Sequence, residues 1–82
     1  MVVVHRAHGF RFVIYTQDHE PAHVRVTGPG HAKTSLVGSG DGPEIVFSVG
    51  ISKPDMRRLM AEIGRERDRL FAEWERIHGG RD

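Results

Sequence analysis

The sequence predicts a small α+β domain in which an antiparallel β-sheet of four to five strands packs against one long C-terminal α-helix. Short β-branched and aromatic runs separated by glycine and proline turns occupy residues 1–50, whereas apolar residues recur every three or four positions over 53–78. The 82 residues include no cysteine, so we expect a single domain, 1–82, without disulfides or thiolate-bound metal.

The charge balance argues against binding driven by overall charge. The formal net charge is only +1, so the whole chain is not attracted to nucleic acid by its total charge. The N-terminal valine run, Val2 to Val4, is followed directly by His5 and Arg6 and is too short for the apolar core of a signal peptide. No apolar run approaches the roughly 18 residues of a membrane span. We therefore expect a cytoplasmic protein.

Five segments have the composition of β-strands. In the clearest one, alternation places Phe10, Phe12 and Ile14 on one face and Arg11, Val13 and Tyr15 on the other. The Gly28-Pro29-Gly30 tripeptide is typical of a tight turn. The predicted strands are 2–5, 10–16, 23–27, 32–37 and 44–49.

The C-terminal segment has the start and stop signals of a helix. Ser52 can cap the first turn, Pro54 is tolerated there, and Gly79-Gly80 ends the pattern. Charged residues at intervals of three or four indicate a solvent-exposed helix face; they pair Glu62 with Arg65, Glu66 with Arg69, and Arg69 with Glu73. The apolar stripe comprises Met56, Leu59, Met60, Ile63, Leu70, Phe71, Trp74 and Ile77.

The helix is too long for the sheet. Residues 53–78 would extend for about 39 Å, whereas a strand of five or six residues covers about 17–20 Å. Two outcomes are open: the helix kinks near Gly64 and continues over the sheet, or its second half overhangs. An overhang would expose an apolar surface for a partner. That predicted partner-binding surface comprises Leu70, Phe71, Trp74 and Ile77.

The segment from Asp18 to Val26 carries the most distinctive chemistry. His19 and His23 could meet at one metal ion, completed by Asp18, Glu20, His5 or His31. Zinc needs three or four protein ligands, and neither a CxxC nor an HExxH pattern is present. We therefore predict no metal and no cofactor, with the two histidines shaping the turn before the strand.

Two further hypotheses concern phosphate chemistry. His19 and His23 could act as acid and base in RNA cleavage while Arg25 or Lys33 stabilises phosphate charge. Surface histidines without a catalytic role also fit the pattern. Alternatively, the sheet face away from the helix could contact phosphates and stack a base, or simply face water. That face is predicted to carry Arg11, Tyr15, His23, Arg25 and Lys33.

The order of these motifs resembles the DUF4160 family over nearly the whole chain. The resemblance rests on the aromatic strand 10–15, on Asp18-His19-x-Pro21-x-His23-Val24-x-Val26, on Gly50-Ile51-Ser52 and on the helix that ends in Trp74 and His78. Members often read His-x-Pro-Pro-His-x-His. Here Ala22 replaces the second proline and Arg25 replaces the third histidine, which weakens any metal site.

The resemblance implies a small prokaryotic protein of unknown function. Such proteins are often encoded beside a small DUF2442 protein, and the pair is suspected to be a toxin–antitoxin module. We therefore predict an interaction protein that binds a DUF2442-like partner or forms a homodimer; the alternative is an RNA-binding or RNA-cleaving toxin. The absence of a helix-turn-helix pattern argues against a DNA-binding regulator.

Overall fold

The structure, a computed structural model, describes residues 1–38 and 42–79. Five strands precede two consecutive helices, which confirms the predicted α+β class and the predicted C-terminal helical region. The elements are β1 (Val2–Ala7), β2 (Phe10–Ile14), β3 (His23–Thr27), β4 (His31–Ser35), β5 (Glu44–Val49), α1 (Lys53–Arg65) and α2 (Arg67–His78).

The sheet is an antiparallel meander with the spatial order β1-β2-β3-β4-β5. His8 and Gly9 link β1 to β2 with φ values of 56° and 80°, as a two-residue hairpin of the right twist requires. Strand boundaries differ slightly from expectation, because β1 continues to residue 7 while β2 and β4 each end two residues early. The predicted loop 38–43 includes residues 39–41, which lie outside the described part.

Side-chain alternation divides the sheet into an inner face, which the helices cover, and an open face. The inner residues of β2 and β3 are fully or almost fully buried. They pack with apolar residues of both helices in one core, whose main members are Phe10, Phe12, Ile14, Val24, Val26, Met56, Leu59, Ile63, Leu70 and Trp74. The opposite positions form the open face, where Val13 and His23 are nevertheless buried. These positions are Arg11, Val13, His23, Arg25, Thr27, His31, Lys33, Ser35, Glu44, Phe47 and Val49.

The helical region begins where the sequence predicts and is interrupted once. Ser52 caps α1, since its hydroxyl accepts a hydrogen bond from the Asp55 backbone N–H at 3.2 Å. The interruption falls at Glu66, with φ −98° and ψ 10°, two residues beyond the predicted break at Gly64. Gly64 itself lies inside α1, where a Cβ atom would meet no neighbour within 4 Å.

The second half of the helical region is packed into the core. Leu70 and Trp74 are 0% and 1% exposed, and Phe71 and Ile77 are partly buried against the same cluster. The alternative in which this stripe overhangs the sheet is therefore wrong, because α2 covers the core with it. Whether the protein has a partner stays a prediction, but Leu70 and Trp74 are not accessible to one.

Two arginines attach α2 to the sheet. The Arg67 guanidinium donates to the carbonyl oxygen of Leu36 at 2.8 Å, and Arg69 donates to the carbonyl oxygen of Val4 at 3.1 Å. These bonds connect the start of α2 to the chain just beyond β4 and to β1. They satisfy backbone carbonyls and hold the helix where its apolar residues reach the core.

The fifth strand is left uncovered by the helices. All six of its residues are exposed, including Ile45 at 47%, Val46 at 55%, Phe47 at 41% and Val49 at 54%. β5 is also an edge of the sheet, so within residues 1–38 and 42–79 no strand pairs with its outer backbone groups. Among the described residues, no helix is both long and apolar enough to cross a membrane.

Substitution of Gly64 by alanine should stabilise the protein. The added methyl group meets no atom, and alanine is favoured over glycine in a helix by about 1 kcal/mol, which corresponds to roughly 4–8 °C in Tm for a domain of this size. Thermal unfolding followed by circular dichroism measures the shift. A lower Tm would show that the interruption at Glu66 depends on the glycine.

Candidate functional site

The histidine–proline segment forms a corner between β2 and β3, anchored by a buried imidazole. His23 is only 4% exposed. Its ring nitrogens lie 3.0 Å from the Pro21 carbonyl oxygen and 2.9 Å from an Asp18 carboxylate oxygen. Both neighbours can accept hydrogen bonds, and each ring nitrogen lies within hydrogen-bond distance of one of them. The ring therefore ties the loop to the start of β3.

Asp18 is the acceptor at the centre of this corner. Besides the bond from His23, it receives longer contacts from the Arg25 guanidinium at 3.3 and 3.4 Å. Burial opposes ionisation of this carboxyl most strongly, but the hydrogen bonds and positive charges of Arg25 and His23 together lower the pKa of Asp18 below its ordinary value. Asp18 is therefore a carboxylate at neutral pH.

The corner also holds the end of α2. The Trp74 ring lies 5.0 Å from the His23 ring, and its indole N–H donates to a Glu20 carboxylate oxygen at 3.0 Å. Trp74 also packs against the His78 ring, with the two ring centres 4.0 Å apart. A cleft of about 600 Å³ opens beside these rings, lined partly by Gln17 and Ile77.

The three residues predicted to be catalytic are only partly brought together. His23 and Arg25 share Asp18, whereas His19 is exposed and forms no hydrogen bond within the described residues. Both nitrogens of His23 are engaged, so this imidazole holds the corner together rather than facing a substrate. RNA cleavage by His19, His23 and Arg25 stays a prediction. Across residues 1–38 and 42–79, no group of three or more potential ligands is placed to hold a metal ion.

A second polar cluster joins β1 to α1. Glu62 is 6% exposed and accepts a hydrogen bond from His5 Nε2 at 2.5 Å, while Arg69 donates to the other His5 nitrogen at 2.6 Å. Glu62 also forms an ion pair with Arg65. The hydrogen bond from His5 is the main reason why the pKa of Glu62 lies below its ordinary value, and the Arg65 charge adds to it, although burial acts in the opposite direction.

The sequence contains a signal for this second cluster, in the position of Glu62 along the helix. Its spacing from Arg65 predicts that Glu62 lies on the exposed, charged helix face. That assignment is wrong for Glu62, which follows Leu59 by three positions and precedes Ile63 by one, inside the apolar stripe. A carboxylate at such a position needs a buried partner, and β1 supplies it from His5.

Comparison with known proteins identifies the family. The family model described as "Domain of unknown function (DUF4160)" matches residues 9–75. The chain belongs to the DUF4160 family. The matched range of DUF4160 contains Asp18, His23 and Trp74, so the corner and its contact with α2 lie in the shared region, whereas His5 lies outside it. No curated protein and no solved structure matches the chain.

Substitution of Asp18 by asparagine should weaken the corner. It removes the charge that pairs with His23 and Arg25, so we expect a loss of about 1–3 kcal/mol in the free energy of unfolding at pH 7. Urea unfolding measures this loss. The same change at the exposed Asp68 is the matched control, and an equal loss there would contradict the assignment.

The pH dependence gives an independent check of Asp18. Its folded pKa is lowered, so the unfolded chain binds more protons in acid and the contribution of Asp18 to stability is present above about pH 4. That contribution disappears as the pH falls further, through the lowered value. Asp18→Asn should therefore flatten the decline in stability below pH 4. An unchanged slope would mean that Asp18 titrates alike in both states.

Proposed function

We propose that this DUF4160 protein is an interaction protein that binds a small protein partner by adding a strand of the partner to the edge of β5. The supporting observation is the exposure of four large apolar side chains, Ile45, Val46, Phe47 and Val49, on one edge strand. Extended peptides bind such edges through main-chain hydrogen bonds, with alternate side chains supplying specificity.

The β5 edge lacks most of the features that protect edge strands. Proteins commonly place lysine or proline on an exposed edge, and β5 contains neither. Its one irregularity is a bulge, since Lys33 pairs with Phe47 and Thr34 with Ile45, which leaves Val46 as the extra residue. An unprotected apolar edge on a small domain indicates a surface that is covered in use.

The opposite edge of the sheet differs in these respects. β1 carries the exposed Arg6, and its Val4 carbonyl accepts a hydrogen bond from Arg69 of α2. Its first four residues are partly buried. The contrast between the two edges favours β5 as the partner surface.

A groove beside β5 indicates the chemistry of the partner. It measures about 740 Å³ and lies between β5 and α1, where Ile45, Met56 and Met60 provide apolar, adaptable walls. Its two charged lining residues, Lys53 and Arg57, are both cations. The complementary segment is therefore an extended strand with apolar side chains flanked by acidic ones.

This assignment moves the partner surface away from the helix. Of the four residues predicted from the sequence to bind a partner, Leu70 and Trp74 are buried and Phe71 and Ile77 are partly buried. The sequence predicts β5 only as one more strand. The proposal keeps a small protein partner, such as the DUF2442-like protein that the family resemblance implies, and changes where it binds. A second copy, which would pair β5 with itself, is the competing occupant.

Co-expression with the product of the neighbouring gene, followed by size-exclusion chromatography with light scattering, tests the proposal. We expect a stable complex for the wild type and its loss, by at least about tenfold in affinity, for Val46→Glu, because a charge then lies on the pairing edge. Val37→Glu is the matched control, since Val37 is 49% exposed but lies outside β5.

Three outcomes would overturn the proposal. The first is that the wild type forms no complex, and the second is that Val46→Glu and Val37→Glu reduce the affinity for the partner equally. The third is that the wild type forms a homodimer, which Val46→Glu converts to a monomer. The last would assign β5 to a second copy of the chain. Thermal unfolding of each variant confirms that the fold persists, as expected for changes at half-exposed positions.

The toxin–antitoxin hypothesis makes a separate prediction. If the chain is the toxin of such a pair, its induced expression should stop growth and co-expression of the neighbouring gene should restore it. The Val46→Glu variant should then arrest growth even with the partner present, because the partner no longer binds. Unaffected growth in every combination would reject a toxic role and leave the complex itself to be judged by chromatography.

A further inference from the structure

The open face of the sheet presents basic side chains side by side. One cross-strand row consists of Val13, Arg25, Lys33 and Phe47, from β2 to β5. In the next row His31 of β4 lies opposite Thr27 of β3. Residues paired in this way have Cβ atoms about 5 Å apart, so Arg25 and Lys33 are adjacent cations.

Glu44 of β5 also lies on this face, opposite Ser35, but of the two adjacent cations only Arg25 has an ion-pair partner among the described residues. Like charges directly opposite each other destabilise a sheet. Asp18 neutralises Arg25, and it is already shared with His23. Lys33 forms no hydrogen bond or ion pair within residues 1–38 and 42–79, although it is only partly exposed. An anionic ligand would supply the missing partner.

A polar group on the same face also lacks a partner. The Thr27 hydroxyl is buried and has no hydrogen-bond partner among the described residues. Buried polar atoms are nearly always bonded, so this one needs an explanation. Thr27 lines a cleft of about 400 Å³ together with Arg25 and His31. A second cleft of about 440 Å³ continues from Arg25 past Lys33. The two clefts share Arg25 as a lining residue and lie along β3 and β4.

Aromatic rings line the first of these clefts. Tyr15, just after β2, lies beneath the Arg25 guanidinium at 5.1 Å, and Phe47 is 41% exposed on β5. The His31 ring approaches Phe47 edge-on at 6.1 Å. The two aromatic positions lie three strand spacings apart across the sheet and two residues apart along it, roughly 16 Å in all. Tyr15 is half-buried and Phe47 exposed. Rings beside cations provide surfaces on which bases stack while the cations hold the backbone.

We propose that the open face binds single-stranded nucleic acid, with Lys33 and Arg25 on the phosphates and Tyr15 and Phe47 against the bases. The binding is tolerant of sequence, because every base has a face that can stack. It is also confined to single strands, because a duplex keeps its bases stacked on one another. This surface lies outside the groove between β5 and α1 and shares only Phe47 with the apolar residues of the β5 edge. Its cations, Arg25 and Lys33, belong to β3 and β4, so their role does not depend on the proposed protein partner.

Fluorescence anisotropy with labelled twelve-nucleotide oligouridine tests this proposal on the intact chain. Lys33→Gln should weaken binding about tenfold at 50 mM salt and reduce the slope of log affinity against log salt by about 0.7, the value for one lost phosphate contact. Lys53→Gln is the matched control, because it changes the net charge equally but lies beside the groove at the start of α1. Tyr15→Leu should weaken binding with an unchanged salt slope.

Each of three results would overturn the proposal. These are no binding by the wild type, equal weakening in the two lysine variants, and equal affinity for a duplex of the same length. Equal weakening would mean attraction to the total charge rather than to the open face. Because Lys33→Gln should leave the complex with the protein partner intact, failure here is distinguishable from failure of the proposed function.

Discussion

The packing of Leu70 and Trp74 into the core is the interaction on which the rest of the structure depends. These two side chains are almost wholly buried, and they carry α2 onto the apolar side of the sheet. A chain of 82 residues buries a smaller fraction of its surface than a larger domain does. The position of the helices therefore determines which apolar residues of the sheet stay exposed. Here the helices cover the inner residues of β2, β3 and β4 and leave β5 bare.

The corner around His23 is linked to the packing of α2 through Trp74. Trp74 contacts the His23 ring and donates to Glu20, so the loop between β2 and β3 is fixed by the helix that it helps to position. Asp18 is shared there by His23 and Arg25. Lys33, opposite Arg25 on the neighbouring strand, has no ion-pair partner within residues 1–38 and 42–79.

Local patterns were sufficient to predict most of the fold. Alternation assigned the two sides of β2, and the Ser52 cap marked the start of α1 to the residue. A break near Gly64 was one of the two outcomes that the sequence left open, and the interruption lies two residues further on, at Glu66. Local sequence could not choose between the outcomes, because the position of α2 involves bonds to the distant carbonyls of Leu36 and Val4. The bond between Glu62 and His5, which are 57 positions apart, was missed for the same reason.

The candidate sites were less predictable than the fold. The spacing of His19 and His23 suggested a shared site, yet one imidazole is buried and bonded while the other faces solvent. Sequence periodicity identifies which residues of a strand are apolar, but it does not show whether a helix will reach them. For this reason the sequence predicts β5 as a strand containing valine and phenylalanine but does not predict that these side chains are exposed.

The most direct test of this account is the solvent exposure of the four phenylalanines in the dilute, unbound protein. Labelling with fluorophenylalanine and comparing ¹⁹F chemical shifts in light and heavy water reports on the exposure of each ring. We expect a large solvent isotope shift for Phe47 and almost none for Phe10 and Phe12, which are 3% and 0% exposed. A Phe47 resonance as insensitive to solvent as that of Phe12 would mean that the helices cover β5, and would contradict the account.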